Sequence, residues 1–290
     1  MKHLRSLSSP AFWLLGVAAS FIAIHLSLVW HTLSPSFLAM SLLFWLSAAT
    51  LVWTQRHSLN LKSGVFASLL GATLLALLLL LISTAITGDN FLRVYPFLAA
   101  LGLALLASGF QGLRQYWQPL VLLFFLGIPE VLLSYLSLSY STDISAATAR
   151  LSTVMLWYSG FNVVRQGVNI YLPGGSVEVY PGCSGLELMM QLLGLSVLVL
   201  ILLPLRWTWV QKIGLPLVAM AIAFIVNGVR VALMAILVAQ GQKGAFDYWH
   251  NGTGSLLFSG IAVLLFVFLV QWILQQHTAP VPESVENEPS

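Results

Sequence analysis

The chain has 290 residues, 59% of them apolar and only 7% charged, with a mean hydropathy of +0.92 and a formal net charge of +3. An average soluble domain carries roughly 25% charged residues, so this composition specifies an integral membrane protein and excludes a soluble one. The mildly basic balance follows from membrane topology more simply than from an acidic partner, and no nucleic acid is expected.

Runs of about 20 apolar residues fill nearly the whole chain, each able to cross a hydrocarbon core of ~30 Å as a helix. A β-barrel would instead show short alternating segments. Charges, Pro and Gly divide the runs into eight expected spans at about 11–31, 36–54, 64–87, 93–110, 119–139, 184–204, 213–240 and 254–274. The fold class is therefore all-α polytopic, a single membrane domain over 1–277. Residues 278–290, with three prolines and three glutamates, read as a disordered tail. The basic start Lys2 to Arg5 precedes an apolar run without a clear A-x-A site, so it is expected to be a retained first helix rather than a cleaved signal.

Lys and Arg in short loops favour the cytoplasmic side. With the N-terminus inside, the inner segments hold Lys2, Arg5, Arg56, Lys62, Arg114, Arg206 and Lys212, against Arg93, Arg150, Arg165 and Lys243 outside. Seven against four favours both termini inside, in a plasma membrane.

The connection between spans five and six is the longest. Leu151, Val154, Met155 and Tyr158 recur at helical spacing, which predicts an interfacial helix over about 143–160. Val163 to Leu172 and Ser176 to Tyr180 then flank Pro173-Gly174-Gly175, predicting an extracytoplasmic β-hairpin.

This hairpin ends three residues before Cys183, the only cysteine, in Tyr180-Pro181-Gly182-Cys183-Ser184-Gly185. A lone thiol forms no internal disulfide, and taken alone it reads as a small buried hydrophobe. Its place before a helix favours thiolate over thiol, however, and Gly182 and Gly185 leave room for a substrate backbone to approach. His250, in Tyr248-Trp249-His250-Asn251-Gly252, reads either as an interfacial polar residue or as a general base, its ordinary pKa being near ~6.5. Arg230 lies within an apolar span, ten residues before Gln240 and so ~15 Å below that helix end. A guanidinium there costs at least ~2.5 kcal/mol, which marks a polar cavity and a functional site. Its side chain can snorkel toward the surface, so a recessed pocket can hold all three residues.

Asn227, one turn before Arg230, and Ser184 are supporting candidates. Glu187, on the face of Cys183, is a candidate partner for Arg230, since buried charges are normally paired. Asp247 either orients His250 or is a solvated loop acid. Glu130, in mid-span after Pro129, is an intramembrane acid without an assigned role. The histidines at 3, 25, 31, 57, 250 and 277 have no metal-ligand spacing, and no metal or cofactor is expected.

Pro181-Gly182-Cys183-Ser184-Gly185, then Asn227-Gly228-Val229-Arg230, then His250, resembles the exosortase and archaeosortase family of membrane cysteine transpeptidases. The stretch 248–255 is most similar to the cyanobacterial branch, the cyanoexosortases. The resemblance implies partner proteins with a C-terminal sorting signal, made of a Pro-Glu-Pro-like motif, a transmembrane helix and a basic cluster. By that resemblance Cys183 attacks the scissile carbonyl, Arg230 steadies the oxyanion and His250 shuttles protons, before an unidentified acceptor takes the acyl group. The competing expectation is a transporter or export scaffold in which Arg230 and Glu187 line a polar path.

Overall fold

The computed structural model describes residues 10–84, 88–136, 138–203, 207–250 and 252–278. Met1 to Arg5 and residues 279–290 of the expected tail lie outside the described residues. The helices are α1 (Pro10–Thr32), α2 (Pro35–Thr54), α3 (Val65–Ser83), α4 (Asp89–Gly112), α5 (Trp117–Leu136), α6 (Leu138–Tyr158), α7 (Leu186–Leu202), α8 (Trp209–Ala239), α9 (Lys243–His250) and α10 (Gly254–Thr278). Six stretches are long and apolar enough to cross a membrane, and one of them, Asp89–Tyr135, contains both α4 and α5. With the shorter apolar helix α7, every expected span has a helical counterpart. The chain is an all-α polytopic membrane protein with a small sheet.

Local signals start the helices that frame the site. Ser34 accepts from the Phe37 N–H at 3.3 Å ahead of Pro35, whose fixed φ suits the first helical position. At α8, Thr208 and Gln211 form a reciprocal capping box. That helix runs 31 residues, ~46 Å at ~1.5 Å per residue, and its last turn, at Val238 and Ala239, packs against Gly174 and Gly175 of the sheet.

Two elements differ from the sequence expectation. Residues 163–180 form the expected hairpin about Pro173-Gly174, as β2 (Asn169–Leu172) and β3 (Gly175–Glu178), and add a further strand, β1 (Val164–Gln166), to make a three-stranded antiparallel meander. Gly167, at φ +61°, turns what reads as one long strand back on itself, so that Gln166 pairs with Asn169. The helix α6 begins five residues earlier than expected, and the face it buries mixes Ala149 and Leu156 with hydroxyl residues. Val154 and Tyr158 are exposed, whereas Ser145, Thr148 and Ser152 are buried against the protein. Two of these hydroxyls bond other elements, Thr148 Oγ1 donating to the Ser184 carbonyl at 2.8 Å and Ser152 Oγ to the Gly228 carbonyl at 2.8 Å, while that of Ser145 is buried without a partner.

The core has two parts. A large cluster fills the bundle, with Phe44, Leu78, Tyr95, Leu122, Leu192 and Phe266 among its buried residues. A smaller one lies between α6, the sheet and the end of α8, where Ile170, Leu172 and Val177 meet Val231, Met234 and Ala235. Cys183 belongs to this second cluster.

Candidate active site

A three-residue 3-10 turn, Pro181–Cys183, carries the thiol out of the sheet toward α7. The Cys183 N–H closes it on the Tyr180 carbonyl at 2.8 Å, and Ser184 Oγ donates to the Pro181 carbonyl at 2.6 Å. The carbonyls on either side of the next bond are pinned from outside. Asn227 Nδ2 donates to the Cys183 carbonyl at 2.9 Å, while Thr148 holds that of Ser184. Gly185, at φ +86°, turns the chain into α7, and a Cβ there would stand 2.6 Å from Asn227 Nδ2. The space expected for a substrate beside Gly185 is thus occupied by Asn227, and that beside Gly182 by the Tyr180 ring, 2.6 Å from where a Cβ would be.

The structure brings Cys183 and His250 together, Sγ to Nε2 at 3.1 Å. His250 is the last residue of α9, and its ring lies between the stacked Phe246 ring, centroids 5.0 Å apart, and the edge of Tyr180. Arg230 reaches the same place by another route: Nη2 donates to the His250 carbonyl at 3.0 Å, holding the end of α9 over the thiol. Its Nε is buried without a hydrogen-bond partner, a donor left free next to the reacting groups.

Burial pushes the Cys183 thiol above its ordinary value, while a hydrogen bond from Tyr180 and the charge of Arg230 pull the other way. Since α7 begins only at Leu186, the thiol is not on the helix's first turn, and the expected dipole activation gives way to desolvation. His250 is lowered, first by burial and then by Arg230, with Asp247 opposing. The pair at rest is therefore neutral thiol and neutral imidazole, with a base already placed to take the proton.

A cavity of about 540 Å³ opens beside this pair, lined by Gly182, Asn227, Arg230 and His250 on one side and by Ser34 and Glu187 on another. Glu187 is not the partner of Arg230. Its Oε1 accepts from Ser34 Oγ at 2.9 Å and Gln191 Nε2 at 3.1 Å, and lies 3.9 Å from Arg93 Nη2. Arg93, in α4, also meets Glu130 of α5, so the unassigned intramembrane acid has a cation beside it. Asp247 acts on His250 through charge, and its backbone carbonyl accepts from the Gly252 N–H at 3.1 Å. Among the described residues, no His, Cys, Asp and Glu side chains gather into a metal-holding group.

Sequence reasoning passed over Tyr180, Thr148, Phe246 and Arg93. Only Tyr180 carried a local signal, three residues before the thiol in the same turn.

A family model described as transmembrane exosortase matches residues 30–267, a stretch that takes in Cys183, Arg230 and His250. The match is to the family as a whole rather than to its cyanobacterial branch. No curated protein and no solved structure matches the chain.

Proposed function

Because the chain belongs to the transmembrane exosortase family, we propose that it is a cysteine transpeptidase whose nucleophile is Cys183, whose base is His250 and whose oxyanion donor is Arg230. The observation that carries this reading is the 3.1 Å contact between Cys183 Sγ and His250 Nε2, with Cys183 buried just behind Gly182, which lines one cavity together with His250 and Arg230. His250 takes the thiol proton as sulfur attacks the scissile carbonyl of a sorting signal of the Pro-Glu-Pro type. The unpartnered Nε of Arg230 supplies a charge-assisted donor to the oxyanion that forms. His250 then passes its proton to the leaving amine, and the substrate's membrane helix departs, leaving a thioester on Cys183. The acceptor nucleophile gives its proton to His250, attacks the thioester and releases the thiol.

In this reading the protein is a multi-pass component of the plasma membrane with both termini inside, and the cavity faces the extracytoplasmic side. Replacing Cys183 by Ala abolishes processing of a protein with such a tail while the enzyme still accumulates in the membrane. Normal trimming by Cys183→Ala would overturn the reading. The transporter alternative retains one point in its favour, that Arg230 and Glu187 line one cavity, and it predicts that Cys183→Ala is tolerated while Arg230→Ala is not.

A further inference from the structure

We infer that Tyr180 is a third working member of the thiol–imidazole cluster, a phenol that donates its hydrogen bond to the Cys183 sulfur as the thiol proton leaves. The inference rests on the proposed role of Cys183 as nucleophile. It starts from a count of donors. His250 Nε2 lies 3.0 Å from Tyr180 Oη and 3.1 Å from Cys183 Sγ. A neutral imidazole nitrogen offers either one lone pair or one N–H, so it cannot accept from both the thiol and the phenol. At rest one of them donates to Nε2 and the other to its neighbour. When the thiol proton moves to Nε2, the nitrogen becomes a donor and its lone pair is gone. The sulfur, now negative, is then the acceptor within reach for the phenol O–H, and the thiolate receives two hydrogen bonds instead of one. No other proton changes hands, and the phenol stays neutral throughout.

The placement of the ring is built into the turn. Tyr180 accepts the Cys183 N–H through its own carbonyl, so phenol and thiol sit on one three-residue frame. Gly182 between them has no side chain where a Cβ would meet the Tyr180 Cε2. Burial also pushes the Tyr180 hydroxyl up to about 12, which keeps it a donor rather than a second base. The charged and titratable groups facing the thiol are His250 from α9, Arg230 from α8, Tyr180 from the turn, and Asp247 behind His250. From α6 and the sheet the neighbours are Ala149, Val177 and Val179, which do not titrate.

Since Cys183 is the only cysteine, alkylation of the full-length protein by iodoacetamide reports on this thiol alone. The pH profile of that reaction is measured for the parent, Tyr180→Phe and His250→Gln. Loss of the phenol moves the midpoint to higher pH and slows alkylation at pH 7 by about tenfold, a tenfold change being one pKa unit. In the processing assay kcat falls while KM is unchanged. If Tyr180→Phe alkylates as fast as the parent or faster, the ring is merely a cover and the inference is wrong. A shifted profile in His250→Gln alongside an unshifted Tyr180→Phe removes Tyr180 alone, whereas unshifted profiles in both remove the thiol–imidazole reading itself. Should Tyr180→Phe fail to fold, 2-fluorotyrosine at position 180, whose hydroxyl is only slightly more acidic and stays protonated where the thiol titrates, gives the opposite test. Its more acidic hydroxyl donates more strongly and lowers the midpoint, and an unmoved midpoint would again overturn the inference.

Discussion

At Cys183, desolvation outweighs the helix dipole, and under the proposed chemistry this sets the response to pH. A raised thiol and a lowered imidazole both favour the neutral pair, so proton transfer belongs to the attack step rather than to the resting state. The free-enzyme kcat/KM profile reports the base, and since His250 is depressed, its neutral form persists on acidification past its ordinary value. The acid limb of kcat/KM is therefore expected below pH ~6.5, the unperturbed value for histidine. Asp247 is the one charge that raises His250, so Asp247→Asn should move the limb lower still, with little change in the plateau. A limb at or above 6.5 in the parent, or an upward move in Asp247→Asn, would refute this assignment of the base. The three residues singled out in the sequence were legible because a thiol, an imidazole and a guanidinium are costly or conspicuous against an apolar background. Tyr180 was not, because an aromatic residue near a membrane boundary already has an ordinary explanation in the interfacial belt.

Among the elements, α6 is the strut on which the thiol loop depends. Apolar periodicity marked Leu151, Val154, Met155 and Tyr158 as an interfacial stripe and carried no signal for the face that meets the protein, since in a membrane protein an apolar stripe suits lipid as well as it suits a core. The informative residues were Thr148 and Ser152, whose buried hydroxyls reach carbonyls of neighbouring elements. Thr148 satisfies the buried carbonyl of Ser184 next to the nucleophile. Thr148→Val keeps the shape and removes the donor, and leaving such a carbonyl unpaired costs about 1–3 kcal/mol. The expected result is a lower melting temperature in detergent together with slower processing. Thr153 is the matched control on the same helix, because its hydroxyl bonds only the Ala149 carbonyl four residues back, at 2.7 Å. Thr153→Val should leave both measurements unchanged, and equal losses in the two variants would show that α6 matters only as a helix. The turn at Gly167 was missed because Val163 to Leu172 reads as one run of strand-forming residues, and only a backbone that can take a positive φ reveals it.

At the scale of the molecule, the described residues place a polar cavity beside Arg230 and His250 within a largely apolar bundle, and do so with few charges. The orientation expected from the loop charges is testable in a Cys183→Ala background, where Lys243→Cys supplies a single exposed thiol at the start of α9. A membrane-impermeant maleimide should label it in intact cells; labelling only after lysis would invert the topology. Inside the bundle, Arg93 and Glu130 join α4 to α5, their side chains only 11% and 17% exposed, with the Arg93 guanidinium 4.8 Å above the Phe37 ring. Breaking such a pair strands a buried charge, at a cost of roughly 3–5 kcal/mol, whereas replacing both partners by apolar residues is often neutral. Glu130→Leu is accordingly expected to lower the amount of folded protein in the membrane sharply, and Arg93→Met with Glu130→Leu to restore it. The double variant should still process substrate, because Glu187, the one link from this pair to the cavity, keeps Ser34 and Gln191 as partners. A double variant that accumulates normally but is inactive would instead place the Arg93–Glu130 pair in the chemistry of the cavity, reached through the 3.9 Å approach of Arg93 to Glu187.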